Sequence, residues 1–147
     1  MSLYDNSTKQ LTLDEGKKRT VYSDHLGFAT IGVGRLVDSR KPGAGLRDVE
    51  IAFMLQNDIN ERISLLAHAY PWFMGLDEAR QGVLVNMSFQ LGMDGLAGFV
   101  NTLELIRTGA YDKAAAAMLK SKWATQTPER AARMAAQMRT GVWQYAE

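Results

Sequence analysis

The segment DEGKKRTVYSDHLGFATIGVGR, residues 14–35, gives the strongest indication of how this 147-residue chain folds. Glu15 is followed by a glycine, a residue that is common just beyond the end of a helix. Residues 23–27 include serine, aspartate and glycine and are typical of a turn. From Phe28 to Gly34 the residues alternate with period two, which predicts a strand. The segment therefore predicts a helix ending at Glu15, followed by a β-hairpin.

Helical periodicity extends to both sides of the hairpin. Ser7 as N-cap and Gln10 as its capping-box partner predict a first helix over residues 7–15. Residues 37–45 contain proline and glycines and are expected to form a loop. Apolar residues then recur at helical spacing over residues 46–68, which predicts a long helix.

The second half of the chain is predicted to be helical throughout, with short breaks. Asp77 is expected to cap a helix that Gly92 ends. The further predicted elements are helices near 94–99 and over 102–107, 111–123 and 127–138, with a last turn at 142–145.

These elements predict an α+β fold: a single domain, residues 1–147, with two lobes. The small N-terminal lobe is expected to contain the hairpin and about residues 12–58. The larger helical lobe would take residues 1–11 and 69–147, and the helix 46–68 would join the two. A cleft between lobes is a common place for a ligand.

Composition excludes several classes of function. The chain has no cysteine, so it has no disulfide framework and no thiolate metal site. Its two histidines, His25 and His68, lack metal-ligand spacing, and neither a metal nor another cofactor is expected. A net charge of +1 gives no reason to expect nucleic-acid binding. The start, MSLYDNSTKQ, has no apolar run, so neither a secretory signal nor a membrane anchor is expected there.

Three residues around the hairpin could carry chemistry. Glu15 ends the first helix, Asp24 lies in the turn, and Thr30 follows on the second strand. Two carboxylates and a hydroxyl that holds water are what glycoside hydrolysis needs. A helix end, an Asx turn and a β-former would account for the same three residues. The residues alone leave both interpretations open.

The order of several motifs resembles the phage lysozyme family, the endolysins of glycoside hydrolase family 24. The resemblance covers nearly the whole chain. Its motifs are Glu15-Gly16, Tyr22-Ser23-Asp24, Gly27 to Gly34, Asn86 to Gly92, Gly98 to Leu103, Ser121-Lys122-Trp123, Gln126 to Arg130 and Arg139 to Trp143.

The resemblance implies a role for each matching position. Glu15 would donate a proton, while Asp24 and Thr30 would hold the attacking water. Arg130 would pair with the catalytic glutamate across the lobes. The substrate-binding positions would be Leu36, Phe89, Gln90 and Thr102.

The sequence also departs from the family pattern. Arg35 stands where the family has a histidine, and its expected partner is Asp58. Ala117 replaces a substrate-contacting asparagine, so that hydrogen bond is missing. The loop 37–45 is shorter than in close relatives, which predicts a smaller N-terminal lobe.

The implied activity is inverting hydrolysis of the β-1,4 bond between N-acetylmuramic acid and N-acetylglucosamine in peptidoglycan, leading to host cell lysis. The resemblance further implies a monomer, held in the host cytoplasm until a holin releases it to the cell wall and periplasm. Three alternatives stay open at this point: a glycosidase acting on chitin or chitosan, a non-catalytic wall-binding module, and a membrane-active protein with a cationic C-terminal helix.

Overall fold

The computed structural model describes residues 2–145. It confirms the α+β class, with seven α-helices and one three-stranded sheet in that range. The chain divides into two compact units, Met1–Met54 and Leu55–Glu147. The assignment of residues 1–11 to the larger lobe stays a prediction.

Helix α1 spans Leu3–Glu15 and so begins four residues before the predicted start. The predicted cap at Ser7 is wrong. Ser2 is the N-cap instead, and its side chain and that of Asp5 form the capping box. Ser7 can continue the helix because the earlier cap already satisfies the free N–H groups of the first turn. The predicted end at Glu15 is confirmed, and Gly16 follows with a positive φ of 75°.

The predicted hairpin is part of a three-stranded antiparallel sheet in the order β1-β2-β3. Its strands are β1 (Lys18–Ser23), β2 (Ala29–Gly32) and β3 (Arg35–Leu36). Thr30 in the central strand is the partner of Tyr22 on one side and Leu36 on the other. This register places these three side chains on one face of the sheet.

Helix α2 covers Asp48–Ala69, close to the predicted 46–68, and crosses the boundary between the two units. The remaining helices lie in the second unit and are α3 (Glu78–Ala97), α4 (Val100–Arg107), α5 (Tyr111–Leu119), α6 (Lys122–Gln126) and α7 (Pro128–Thr140). A 3₁₀ turn, Phe73–Gly75, precedes α3.

Two predicted boundaries in the second unit need correction. The predicted helix 111–123 is two helices, because Ser121 caps a new one by accepting the N–H of Ala124 at 3.2 Å. Residues 142–145 form no helical turn. The cap at Asp77 is confirmed by its hydrogen bond from the N–H of Arg80 at 3.1 Å.

The hydrophobic core of the second unit is built from α2 to α7. Its largest fully buried apolar side chains are Leu66, Phe73, Val83, Leu84, Met87, Leu96, Ile106, Met118 and Met138. Among the described residues, no single helix combines the length and apolar character that a bilayer span needs. Only α3 and α4 counted together, across a bend of 106°, meet that measure.

Candidate active site

The carboxyl group of Glu15 packs directly against the turn between β2 and β3. A β-carbon built on Gly34 would stand 2.8 Å from Oε2 and 2.9 Å from Cδ of Glu15, too close for any real contact. Gly34 also has a φ of +69°, which side-chain-bearing residues rarely adopt. The absence of a side chain at residue 34 therefore makes the room that the carboxylate occupies.

Asp24 organises the turn between β1 and β2. Its Oδ1 accepts hydrogen bonds from the backbone N–H groups of Leu26, at 2.9 Å, and Phe28, at 2.8 Å. The N–H of Asp24 donates to the carbonyl of Phe28 at 2.9 Å. Among the described residues of the first unit, no donor reaches the second carboxylate oxygen, Oδ2. The Asx-turn interpretation is therefore correct for Oδ1.

Thr30 is almost fully buried, with 4% of its surface exposed. Its hydroxyl donates to the carbonyl of Phe28 at 2.9 Å, so only its lone pairs are available to a further partner. Asp24 follows β1 directly and lies two residues beyond Tyr22, the cross-strand partner of Thr30. Leu36, opposite Thr30 on β3, lies on the same face of the sheet as Thr30.

Arg35 takes a partner that the sequence did not suggest. Its guanidinium forms a two-pronged pair with Glu50, with Nη1 at 2.7 Å from Oε2, and Nη1 also donates to the carbonyl of Gly45 at 3.3 Å. The loop 37–45 thus returns the first turn of α2 to the side of β3, while the expected pairing with Asp58, a residue of the other unit, stays a prediction. The guanidinium groups of Arg35 and then Arg47 hold the pKa of Glu50 far below its ordinary value.

A cavity of about 550 Å³ lies within the second unit, between α2, α3, α7 and the C-terminal segment. Phe89, Asn86 and Arg130 line it, and Phe89 is 43% exposed. Arg130 donates through Nε to the side-chain oxygen of Asn86 at 2.8 Å and through Nη2 to its backbone carbonyl at 3.2 Å. The structure thus fixes Arg130 against α3, while its pairing with Glu15 stays a prediction.

The phage lysozyme family matches residues 13–139 of this chain. The chain belongs to that family. A relative from Dictyostelium discoideum, probable T4-type lysozyme 1, is 30% identical over 89% of this chain and 92% of its own length. Probable T4-type lysozyme 2 of the same organism is 27% identical over the same shares. The pre-baseplate central spike protein Gp5 of Enterobacteria phage T4 is 28% identical over 90% of this chain and 27% of its own length.

Membership of the phage lysozyme family establishes a lysozyme-type glycoside hydrolase. Gln90 and Thr102 are the two remaining residues of this lysozyme that were predicted to bind substrate. Gln90 accepts the indole N–H of Trp123 at 2.9 Å, and Thr102 is only 5% exposed in α4. Their contact with a sugar stays a prediction.

Asn86 lines the cavity of this lysozyme and binds Arg130, and the sequence did not predict this role for it. Its position three and four residues before Phe89 and Gln90 could have indicated it, because side chains at that spacing share one face of a helix. Within residues 2–145, no three histidine, aspartate or glutamate side chains lie close enough together to hold a metal ion.

Proposed function

We propose that this lysozyme hydrolyses the β-1,4 bond between N-acetylmuramic acid and N-acetylglucosamine in peptidoglycan by an inverting mechanism. Glu15 acts as the general acid, Asp24 as the general base, and Thr30 orients the attacking water. Leu36, Phe89, Gln90 and Thr102 contact the glycan, and Arg130 supports the acid.

The hydrogen bonding around Phe28 is the observation that supports this proposal. The Thr30 hydroxyl donates a hydrogen bond to the Phe28 carbonyl, and Oδ1 of Asp24 accepts hydrogen bonds from two backbone N–H groups. These residues therefore offer a water molecule two hydrogen-bond acceptors, the hydroxyl oxygen of Thr30 and Oδ2 of Asp24. A water that donates one hydrogen to each keeps a lone pair free for attack on the sugar.

The proposed reaction is balanced in one step. The water oxygen bonds to the anomeric carbon of N-acetylmuramic acid while its proton passes to Asp24. The bond from that carbon to the oxygen of N-acetylglucosamine breaks, and the leaving oxygen takes the proton of Glu15. Solvent then restores both carboxyl groups. An inverting enzyme of this kind needs its carboxyl groups roughly 6.5–9.5 Å apart, with room for the water.

The proposed biological role is lysis of a bacterial host at the end of phage infection. The protein acts as a monomer, stays in the host cytoplasm until a holin opens the inner membrane, and then reaches the cell wall and periplasm.

Reducing-end release from purified peptidoglycan tests the proposed chemistry. Glu15→Gln is expected to lose activity by several powers of ten, while the neighbouring Asp14→Asn, an equally exposed carboxylate on the same helix, stays near wild type. NMR of the first product should show the α-anomer, because inversion at the anomeric carbon of a β-linked substrate gives an α product.

Four outcomes would count against the proposal. Reducing-end release at the wild-type rate by Glu15→Gln would contradict the assignment of Glu15 as the acid. A first product with the β configuration would contradict the inverting mechanism. Faster turnover of chitosan than of peptidoglycan would assign a different substrate. Leakage of anionic lipid vesicles with unchanged killing by Glu15→Gln would favour membrane action.

A further inference from the structure

Phe28 connects the two residues proposed to hold the water. Its N–H donates to Oδ1 of Asp24 at 2.8 Å, and its carbonyl accepts both the Thr30 hydroxyl and the Asp24 N–H, each at 2.9 Å. A shift of Phe28 would therefore move the base and the hydroxyl together.

Two cations from the loop 37–45 lie over the Phe28 ring. The ammonium nitrogen of Lys41 is 4.0 Å from the ring centroid, and the guanidinium carbon of Arg40 is 5.5 Å from it. Cations at such distances are attracted to the electron-rich face of an aromatic ring. The loop therefore holds the Phe28 side chain in place from outside the sheet.

Asp38 lies where this loop begins, beside β2, the strand that follows Phe28. It is only 7% exposed, and its carboxylate accepts three hydrogen bonds from Arg40: the backbone N–H at 2.8 Å, Nε at 2.9 Å and Nη2 at 2.7 Å. The N–H of its neighbour Val37 donates to the carbonyl of Ala29, the residue between Phe28 and Thr30, at 2.9 Å. The bonds from Arg40, its side chain first, hold the pKa of Asp38 far below the ordinary value, so Asp38 stays ionised.

We infer that Asp38, Arg40 and Lys41 are positioning residues for hydrolysis, which fix Phe28 and through it the water-holding pair. The inference rests on the proposed function. None of the three touches the reacting atoms in this scheme, so their loss should slow turnover without weakening substrate binding. A displacement of about 1 Å at a reacting group can cost up to about a hundredfold in rate.

The test compares kcat and KM for reducing-end release by wild type, Phe28→Leu, Lys41→Gln and Lys41→Arg. Lys41 is exposed, so its replacement leaves the fold intact. Phe28→Leu and Lys41→Gln should each lower kcat by about three- to tenfold with KM within about twofold. Lys41→Arg should restore kcat, because arginine also stacks on aromatic rings.

Arg47→Gln is the matched control, since it removes an exposed cation that pairs with Glu50 in the same unit and is not stacked on Phe28. Its kcat should equal that of wild type. The Phe28 amide proton in ¹⁵N-labelled protein should shift in Lys41→Gln and not in Arg47→Gln, which reports the hydrogen bond to Asp24 without any turnover.

Two results would overturn the inference. A raised KM with unchanged kcat in Lys41→Gln would make Lys41 a substrate-binding residue. Turnover in Phe28→Leu and Lys41→Gln equal to that of Arg47→Gln, together with a Phe28 amide shift in Lys41→Gln no different from that in Arg47→Gln, would give the loop no part in catalysis. Wild-type turnover by Glu15→Gln would contradict the proposed function itself. An inactive Glu15→Gln together with fully active Phe28→Leu and Lys41→Gln variants would contradict only this inference.

Discussion

The carboxylate of Glu15 occupies the space that a side chain at Gly34 would need, with Oε2 2.8 Å from the position of a β-carbon there. Gly34→Ala is therefore expected to displace the proposed acid. We predict a fall in kcat of about a hundredfold, because general-acid catalysis depends on close placement of the donor. Steady-state kinetics of the purified variant on peptidoglycan measures this.

Gly32 supplies the control for that variant. It has the same φ of +69°, but a β-carbon built on it meets nothing within 4 Å. Both alanine variants should lose about 1–2 kcal/mol of unfolding free energy from backbone strain. Only Gly34→Ala should lose turnover. Equal kcat values for the two variants would show that the close contact with Glu15 has no catalytic consequence.

Replacement of Thr30 tests the water-holding hydroxyl. Thr30→Val keeps the shape of the side chain but removes the hydroxyl, which donates to the Phe28 carbonyl and is proposed to accept from water. We expect kcat to fall by about a hundredfold. Thr30→Ser retains the hydroxyl and should turn over at least about tenfold faster than the valine variant. Similar kcat values for Thr30→Ser and Thr30→Val would show that the hydroxyl has no part in the mechanism.

Acid should destabilise the protein partly through Asp38. The pKa of this carboxyl is lower in the folded chain than its ordinary value of 3.8, so its contribution is fully present above that value and is lost as the pH falls toward the folded pKa. Asp38→Asn should lower the unfolding free energy at pH 7 and reduce its dependence on pH below about pH 5. Urea unfolding at a series of pH values measures both.

The remaining pH dependence of the Asp38→Asn variant should come in part from Glu50, whose pKa is lowered in the same direction by Arg35 and Arg47. A variant with the full wild-type slope would mean that Asp38 is not held ionised by Arg40 in solution.

Gln137 is predicted to stabilise the second unit. It is 1% exposed, its amide donates to the carbonyl of Ala79 at 2.7 Å, and its oxygen accepts the N–H of Gln144 at 3.0 Å. Gln137→Leu leaves those backbone groups without their partner and should cost about 1–3 kcal/mol. The exposed Gln126→Leu should stay within about 0.5 kcal/mol of wild type in the same denaturation experiment.

Local chemistry is enough to predict several elements correctly. The end of α1 at Glu15 follows from Gly16, the start of α3 from the cap at Asp77, and the start of α7 from Pro128 in its first turn. Gly92 was predicted to end α3; it has a φ of 73° and breaks the helical geometry, although the helix resumes beyond it. Signals of this kind act within a few residues, so they can be read from the chain.

Partners distant in the chain could not be predicted in this way. Glu50 pairs with Arg35 from 15 positions further along the chain, and the sequence did not indicate this pair. The bonds from Arg130 to Asn86 join residues 44 positions apart, and no local pattern indicates them.

The sequence by itself determined the family, the α+β class and the identities of the proposed acid, base and water-holding residue, because these depend on residue types at fixed short spacing. Only the tertiary structure decided which atoms of those residues stay available. The Phe28 carbonyl accepts a hydrogen bond from the Thr30 hydroxyl, and the Phe28 N–H donates to one oxygen of Asp24. Gly34 makes room for the carboxylate of Glu15. Such relationships depend on strand register and on contacts that chain folding brings together, which residue order does not specify.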